Sequence, residues 1–370
     1  MAKHDIPYVN LQAQGRDQLD DLKRIFEEVV LRGTFVGTGE EIDALEKRLA
    51  AYCGTDEAVA LNSGTDALML AMVVAGIGRG DEVITPPNSF VASTATIVHI
   101  GAKPVFADVL ADQNIDPDKI ERAITPRTRA IMPVHLTGRV CRMDEIMDIA
   151  NRHNLVVIED AAQAIGSTYQ GRMSGAVGHF GCFSANPLKN LNALGDGGFV
   201  TTNDKTAAAR MRRLRSHGMA DRQTIEEWGL VSRMDTLQAA ILSYRLDALP
   251  DVIAKRRANA ALYQGLLRHE RVFVPPCRNE EFNTFHTFVI QVDRRDELQA
   301  YLKQCGIKTA IHYPIPIHLQ PAARGLGHGK GDFPATERQA DRILTLPVNQ
   351  YMSRADVEAV AGEVLAFLDR

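Results

Sequence analysis

Between residues 57 and 202 short, continuously apolar runs alternate with helical segments, and no other feature of the chain restricts its fold as strongly. Ala58–Leu61 precedes a helix from Asp66, Glu82–Ile84 precedes one from Ser89, and Pro104–Phe106 follows. Ala130–Pro133 comes before a helix from Met143, then Leu155–Ile158 and, further on, Phe199–Thr202. Strands that are apolar on both faces must be covered on both faces. The pattern therefore predicts an α/β protein with a mainly parallel sheet between helical layers. Ligands of such sheets bind beyond the carboxyl ends of the strands, so candidate chemistry belongs there.

The flanking segments complete the outline. Apolar positions at helical spacing (Leu19, Leu22, Ile25, Phe26 and Val29, then Ile42, Leu45 and Leu49) predict amphipathic helices over 16–32 and 40–52. The glycine-punctuated stretch 33–39 between them reads as a loop. A helix over 205–215 has a basic C-terminal half, read as complementing its dipole. Residues 236–267 are strongly helical but interrupted by Pro250, a boundary between a large domain, 1–248, and a smaller α+β domain, 249–370. In the smaller domain a strand is predicted at 287–292, and helices at 296–305 and from Arg354. A chain of 370 residues suits two such domains.

Several function classes are disfavoured. The net charge of -4 offers no nucleic-acid footprint. No apolar run reaches bilayer length, and the N-terminus lacks a signal-peptide layout. The cysteines, 5 in number and without C-x-x-C spacing, read as free thiols of a cytoplasmic protein. The histidines show no H-x-x-x-H spacing, so no metal site is expected. Gly325–Gly331 has the wrong spacing for a phosphate loop and reads as a surface loop.

Four places carry chemical content. Asn62-Ser-Gly-Thr65 lies between a strand and a helix. Its hydroxyls at Ser63 and Thr65, close backbone at Gly64 and free helix N–H groups suit either a phosphate or a plain N-cap. Asp160 ends a buried strand. A carboxylate there can cap a helix or keep a pyridine nitrogen protonated, and Gln163 follows within reach of a ring hydroxyl. Phe90, near the same strand ends, is either core or a face on which a ring stacks. Lys189 lies in a loop within 181–198, five residues after Ser184 and shortly before Gly195-Asp-Gly-Gly198. Alone it is a solvated cation; beside the other three it is a candidate to hold an aldehyde cofactor.

The ordered set of Ser-Gly-Thr, Phe90, Glu-Asp-Ala-Ala-Gln, Phe-Ser-x-x-Pro-x-Lys-Asn and Gly-Asp-Gly-Gly resembles the DegT/DnrJ/EryC1/StrS family of nucleotide-sugar aminotransferases, of the fold-type I pyridoxal-phosphate class. Pro133-Val-His-Leu136, Arg215-Ser-His-Gly218, Ser232-Arg-Met-Asp and His312-Tyr-Pro-Ile-Pro316 extend the likeness from about Val9 to the C-terminus. The resemblance implies that Lys189 forms a Schiff base with pyridoxal 5'-phosphate and that Asp160 partners the pyridine nitrogen. It implies that Gln163 holds the ring hydroxyl, that Phe90 stacks on the ring, and that Ser63, Gly64, Thr65 and Ser184 hold the phosphate. Asn186, His312 and Tyr313 would lie near the sugar. L-glutamate would be the amino donor, a dTDP- or UDP-linked keto sugar the acceptor, and a homodimer the working unit.

Three positions depart from the family pattern. Val231 stands where many relatives carry an asparagine that reaches the partner's phosphate, which puts that contact in doubt. Asn186 replaces a frequent histidine or aromatic, and Thr137 a frequent tyrosine; both bear on substrate fit. The segment 312–316 followed by Gln320-Pro-Ala resembles members that aminate C3 rather than C4 of the sugar. The family's dehydratase branch carries histidine at the Lys189 position, so lysine argues against it. A non-catalytic regulator of the same family remains an alternative. A nicotinamide dehydrogenase is disfavoured because no G-x-G-x-x-G follows the first strand.

Overall fold

The computed structural model describes residues 3–36 and 39–370. Within the expected loop 33–39, Gly37 and Thr38 lie outside the described residues. The chain opens with α1 (Leu11–Asp17), α2 (Leu19–Arg32) and α3 (Glu40–Cys53). It continues through β1 (Glu57–Leu61), α4 (Gly64–Val74), β2 (Glu82–Thr85), α5 (Val91–His99) and β3 (Lys103–Phe106). Then come α6 (Pro117–Ala123), β4 (Thr128–Ile131), α7 (Met143–His153), β5 (Val156–Asp160), and the short β6 (Thr168–Tyr169) and β7 (Arg172–Met173). After β8 (Phe180–Ser184), β9 (Gly198–Thr202) and α8 (Lys205–Leu214), α9 runs from Thr236 to Leu266. The remainder holds β10 (Glu281–Phe282), β11 (Phe288–Gln291), α10 (Arg295–Gln304), α11 (Pro334–Arg342), β12 (Ile343–Leu346) and α12 (Arg354–Leu368).

The central sheet has 7 strands in the order β1-β9-β8-β5-β4-β2-β3. All neighbours from β8 to β3 pair in parallel; β9 alone runs against both of its neighbours. The two faces are closed by different helices. Leu68, Met72 and Met211 from α4 and α8 pack on one side of the β1–β9–β8 half. Leu45, Leu49, Leu242 and Leu249 from α3 and α9 pack on the other. Leu45 and Leu49 are both 0% exposed, and truncating either to alanine removes buried area worth about 2–5 kcal/mol.

Three local expectations are corrected. Strand β8, Phe180–Ser184, takes in residues 181–184 of the stretch 181–198 read as a loop. Gly181 and Ser184 carry little strand propensity, and burial of Phe180, Cys182 and Phe183 between two neighbouring strands decides the matter. Pro250 does not interrupt the helix over 236–266. It forfeits one backbone bond, but buried residues on both sides hold the helix: Leu246, Leu249 and Ile253 in the first core, Ala260 and Tyr263 in a second core with β11, β12 and α12. The basic end of α8 does more than offset a dipole. Arg215 is buried, and its Nη1 donates to Glu46 Oε1 (2.5 Å) and to the Ala60 carbonyl (2.6 Å), tying α8 to α3 and β1.

Candidate active site

Strand register assembles the site. Asp160 pairs with Cys182 across β5 and β8, so Asp160 and Ser184 emerge two residues apart on one sheet edge. Ser184 pairs with Gly198, and Gly198 pairs with Leu61, which brings the turn Asn62–Ser63 and the start of α4 to the same edge. Glycine is required where these strands converge. A Cβ at Gly198 would stand 2.4 Å from the Ser63 carbonyl carbon, and one at Gly64 would stand 2.7 Å from Ser184 Cβ. Gly64→Ala should therefore displace Ser184, lower stability by about 1–3 kcal/mol and weaken phosphate capture; unchanged melting and unchanged affinity for inorganic phosphate would contradict this close approach.

All the candidate residues, from Ser63, Gly64 and Thr65 through Phe90, Asp160, Gln163, Ser184, Asn186 and Lys189 to His312 and Tyr313, border one cavity of about 450 Å³. Ser63 serves as N-cap, accepting from Asp66 N at 3.1 Å, and faces the cavity as well. The cap and the anion readings are thus compatible in one residue. The N–H groups of Gly64 and Thr65, the first two of α4, have no intrahelical partner, and with the Thr65 and Ser184 hydroxyls they form a cradle for an anion. Phe90 is 55% exposed, so it is a free ring face and not core; its centroid lies 6.0 Å from that of Tyr313.

Asp160 is 6% exposed. Its Oδ2 accepts from Ser93 Oγ (2.7 Å) and its Oδ1 from Ala162 N (3.2 Å). No cation pairs with it among the described residues, and burial pushes its carboxyl above the usual range. Gln163 is already sorted by its contacts. Its Oε1 accepts from Thr137 N at 2.8 Å, which leaves the amide N–H groups as donors, one of them toward Tyr313 Oη at 3.5 Å. Thr137 is half-buried with φ 64 in the turn that follows β4.

Lys189 is presented by a loop that is held at many points. Ala185 N donates to Gly197 O (2.7 Å), Ala193 N to Ala185 O (2.8 Å) and Lys189 N to Asn186 O (2.8 Å). Buried Asn192 accepts from Gln14 Nε2 and from Arg245 Nη1, both at 2.9 Å, so α1 and α9 clamp the loop from outside. Burial lowers the Lys189 amine to about 8, and Asp160 opposes the shift. At pH 7 about a tenth of such an amine is neutral, against roughly three in ten thousand for an ordinary lysine. That is the condition for a nucleophilic lysine.

Asn186 borders the cavity with both ends of its side chain occupied. Its Oδ1 accepts from Leu188 N (3.2 Å) and its Nδ2 donates to Asp196 Oδ1 (3.1 Å). These bonds make it an organiser of the lysine loop. His312 Nδ1 lies 3.0 Å from Thr345 Oγ1, and burial followed by the charge of Lys189 lowers it to about 4. Val231 is exposed, at the end of a bridge with Ser216, outside the cavity lining. Among the described residues no group of three or more His, Cys, Asp or Glu side chains could hold a metal.

Sequence reasoning missed Ser93, Arg256 and His286. Ser93 follows Phe90 by three residues on one helical turn, a spacing that could have flagged it. Arg256 hides in the run Lys255-Arg-Arg257, which looks like a solvated basic face. His286 is isolated in sequence and carries no signal.

The donor set suits pyridoxal phosphate. It offers an anion cradle, an exposed ring face, a buried carboxylate lacking a cation, an amide with free N–H groups and an amine near neutrality. Comparison with known proteins agrees. Residues 18–365 match the family model of the DegT/DnrJ/EryC1/StrS aminotransferases. The chain is 39% identical to a pleiotropic regulatory protein of Geobacillus stearothermophilus, over 98% of each. It is also 39% identical to dTDP-3-amino-3,4,6-trideoxy-alpha-D-glucose transaminase of Streptomyces venezuelae, covering 99% of this chain and 97% of that one. Identity to UDP-N-acetyl-3-dehydro-alpha-D-glucosamine 3-aminotransferase of Acidithiobacillus ferrooxidans is 38%, over 96% of each. The solved structure of DesV from S. venezuelae superposes with TM-score 0.96 at 39% identity, over 99% of each chain.

Proposed function

Because the chain belongs to the DegT/DnrJ/EryC1/StrS aminotransferase family, we propose that it carries an amino group from L-glutamate to a keto carbon, C3, of a dTDP- or UDP-linked sugar, using pyridoxal phosphate. The observation that carries the reading is the convergence on one cavity of a half-buried lysine lowered to about 8 and a buried carboxylate with no cationic partner among the described residues. The relatives named above that act on sugars carry the amino group at position 3 in their names, which supports C3.

Pyridoxal phosphate, when bound, supplies an aldehyde that captures amines and a ring that accepts an electron pair. The protein does the rest. The N-terminus of α4 with Thr65 and Ser184 binds the phosphate, Phe90 covers a ring face and Gln163 donates to the ring hydroxyl. Asp160 keeps the pyridine nitrogen protonated by placing a negative charge where burial makes it strong. Lys189 would be the residue that holds the aldehyde, and its Nζ, when not so engaged, would take the proton from the donor Cα.

A homodimer is the assembly we propose. Phe26 (56% exposed), Leu31 (79%), Phe35 (54%) and Trp228 (92%) leave much apolar surface for a second copy to cover. Light scattering at micromolar concentration should return twice the chain mass, and a monomer would contradict it. The compartment we propose is the cytoplasm, where the five free thiols stay reduced; among the described residues no helix is long and apolar enough to cross a membrane.

A panel of 3-keto and 4-keto nucleotide sugars, incubated with L-glutamate and read by mass, tests the substrate. Amination of 3-keto sugars is the expected result. Exclusive amination of 4-keto sugars would overturn the regiochemistry, and no glutamate-dependent conversion of the bound cofactor would favour the non-catalytic regulator.

A further inference from the structure

One wall of the cavity carries a fixed positive charge that no carboxylate answers. Arg256 of α9 is 5% exposed. Its Nη1 donates to the carbonyls of His286 (3.1 Å) and Phe285 (3.3 Å), and its Nε is buried without a partner. Among the described residues it forms no ion pair, and nothing accepts from Nη2. The same side chain borders the cavity beside Lys189, His286 and His312, and shares with Lys189 the wall of a second, narrower cleft.

A buried guanidinium without a counter-ion is costly unless a ligand supplies one. Nothing close by does. Burial holds both His286 and His312 below their usual range, so both rings are neutral at neutral pH: they neither answer the guanidinium nor compete with it for an anion. The acids on the cavity wall, Asp160 and Asp196, are engaged by Ser93 and Ala162 and by Asn186. What remains is a single guanidinium on the wall of a space next to the reactive amine, with Nη1 and Nε turned into the protein and Nη2 left to meet a carboxylate oxygen.

We propose that Arg256 anchors a carboxylate of the amino donor, holding the amino-bearing carbon beside Lys189; the assignment rests on the aminotransferase reading given above. An amino acid's α-carboxylate is bonded to the carbon that Lys189 deprotonates, so one ligand reaches both residues. The diphosphate of a nucleotide sugar hangs from C1, farther along the ring from a keto carbon at C3, and fits this corner less well. The bonds to Phe285 and His286 fix the guanidinium in place and orient its free edge.

The half-reaction with L-glutamate alone, followed by the absorbance of the lysine-bound cofactor, tests the assignment. Arg256→Lys and Arg256→Met should raise the half-saturating L-glutamate concentration about 10- to 100-fold and leave the nucleotide-sugar KM within about threefold. Half-saturation does not depend on the folded fraction, so partial unfolding cannot imitate the effect, and the lysine variant serves if the methionine variant fails to fold. Calorimetry with 2-oxoglutarate should show the same loss of affinity. Arg257→Lys is the control. That guanidinium donates to the Asn283 carbonyl and lies over the Phe282 ring, outside the cavity, and should leave every constant unchanged. An unchanged glutamate constant, or a rise confined to the nucleotide sugar, overturns the assignment and leaves the aminotransferase reading standing. A wild-type protein with no glutamate-dependent change overturns both.

Discussion

Lys189→Ala should lower turnover about 10³-fold or more, because one substitution removes both the amine proposed to hold the cofactor and the base proposed to move the proton. Phosphate binding should survive, since the start of α4, Thr65 and Ser184 are untouched. The wild-type lysine also makes a prediction about pH. Burial lowers the amine to about 8, so the apo-protein should capture pyridoxal phosphate faster as pH rises and level off above about 8 rather than above 10. Asp160 works against that shift. In Asp160→Asn the midpoint should fall further. A capture rate with its midpoint near 10 would show that Lys189 is an ordinary solvated amine.

Asp160→Asn is the second large effect. Asparagine keeps the shape and can still meet Ser93, but it supplies no negative charge to a protonated ring nitrogen. Turnover should fall about 10²- to 10³-fold, the scale for loss of one preorganised electrostatic group. Stability should move the other way. Burial raises the Asp160 carboxyl in the folded protein above its value in the unfolded chain. A group shifted in that direction weakens the fold at pH values above the unfolded pKa, about 3.9, and the penalty fades as pH falls below it. The apo form of Asp160→Asn should therefore melt at a higher temperature than wild type at pH 7, with the gap closing near pH 4. Function and stability trade at this residue. A variant that is both inactive and less stable at pH 7 would mean that Asp160 is a structural cap and nothing more.

The alternation of apolar runs and helices made the sheet legible, because a buried strand writes its burial directly into sequence. Strand ends were legible for the same reason, and chemistry-bearing residues at Asn62–Thr65 and Asp160 stood out there. β8 was hidden because its glycine and serine signal a turn, while its order comes from pairing with β5 and β9. Pro250 misled because a proline rule is local and the two cores flanking α9 are not. Lys189 was visible as a candidate, yet its amine is depressed by a loop clamped through Asn192, Arg245 and Gln14. No window of sequence contains those three residues together. Arg256 was invisible for a related reason: burial separates it from Arg257, its twin in sequence.

The most direct test is borohydride reduction of the purified protein with bound pyridoxal phosphate, followed by peptide mass mapping. The reduced adduct should sit on Lys189, and its yield should drop to background in Lys189→Ala. An adduct on a different lysine, or none on a protein that still transfers amino groups, would contradict the account.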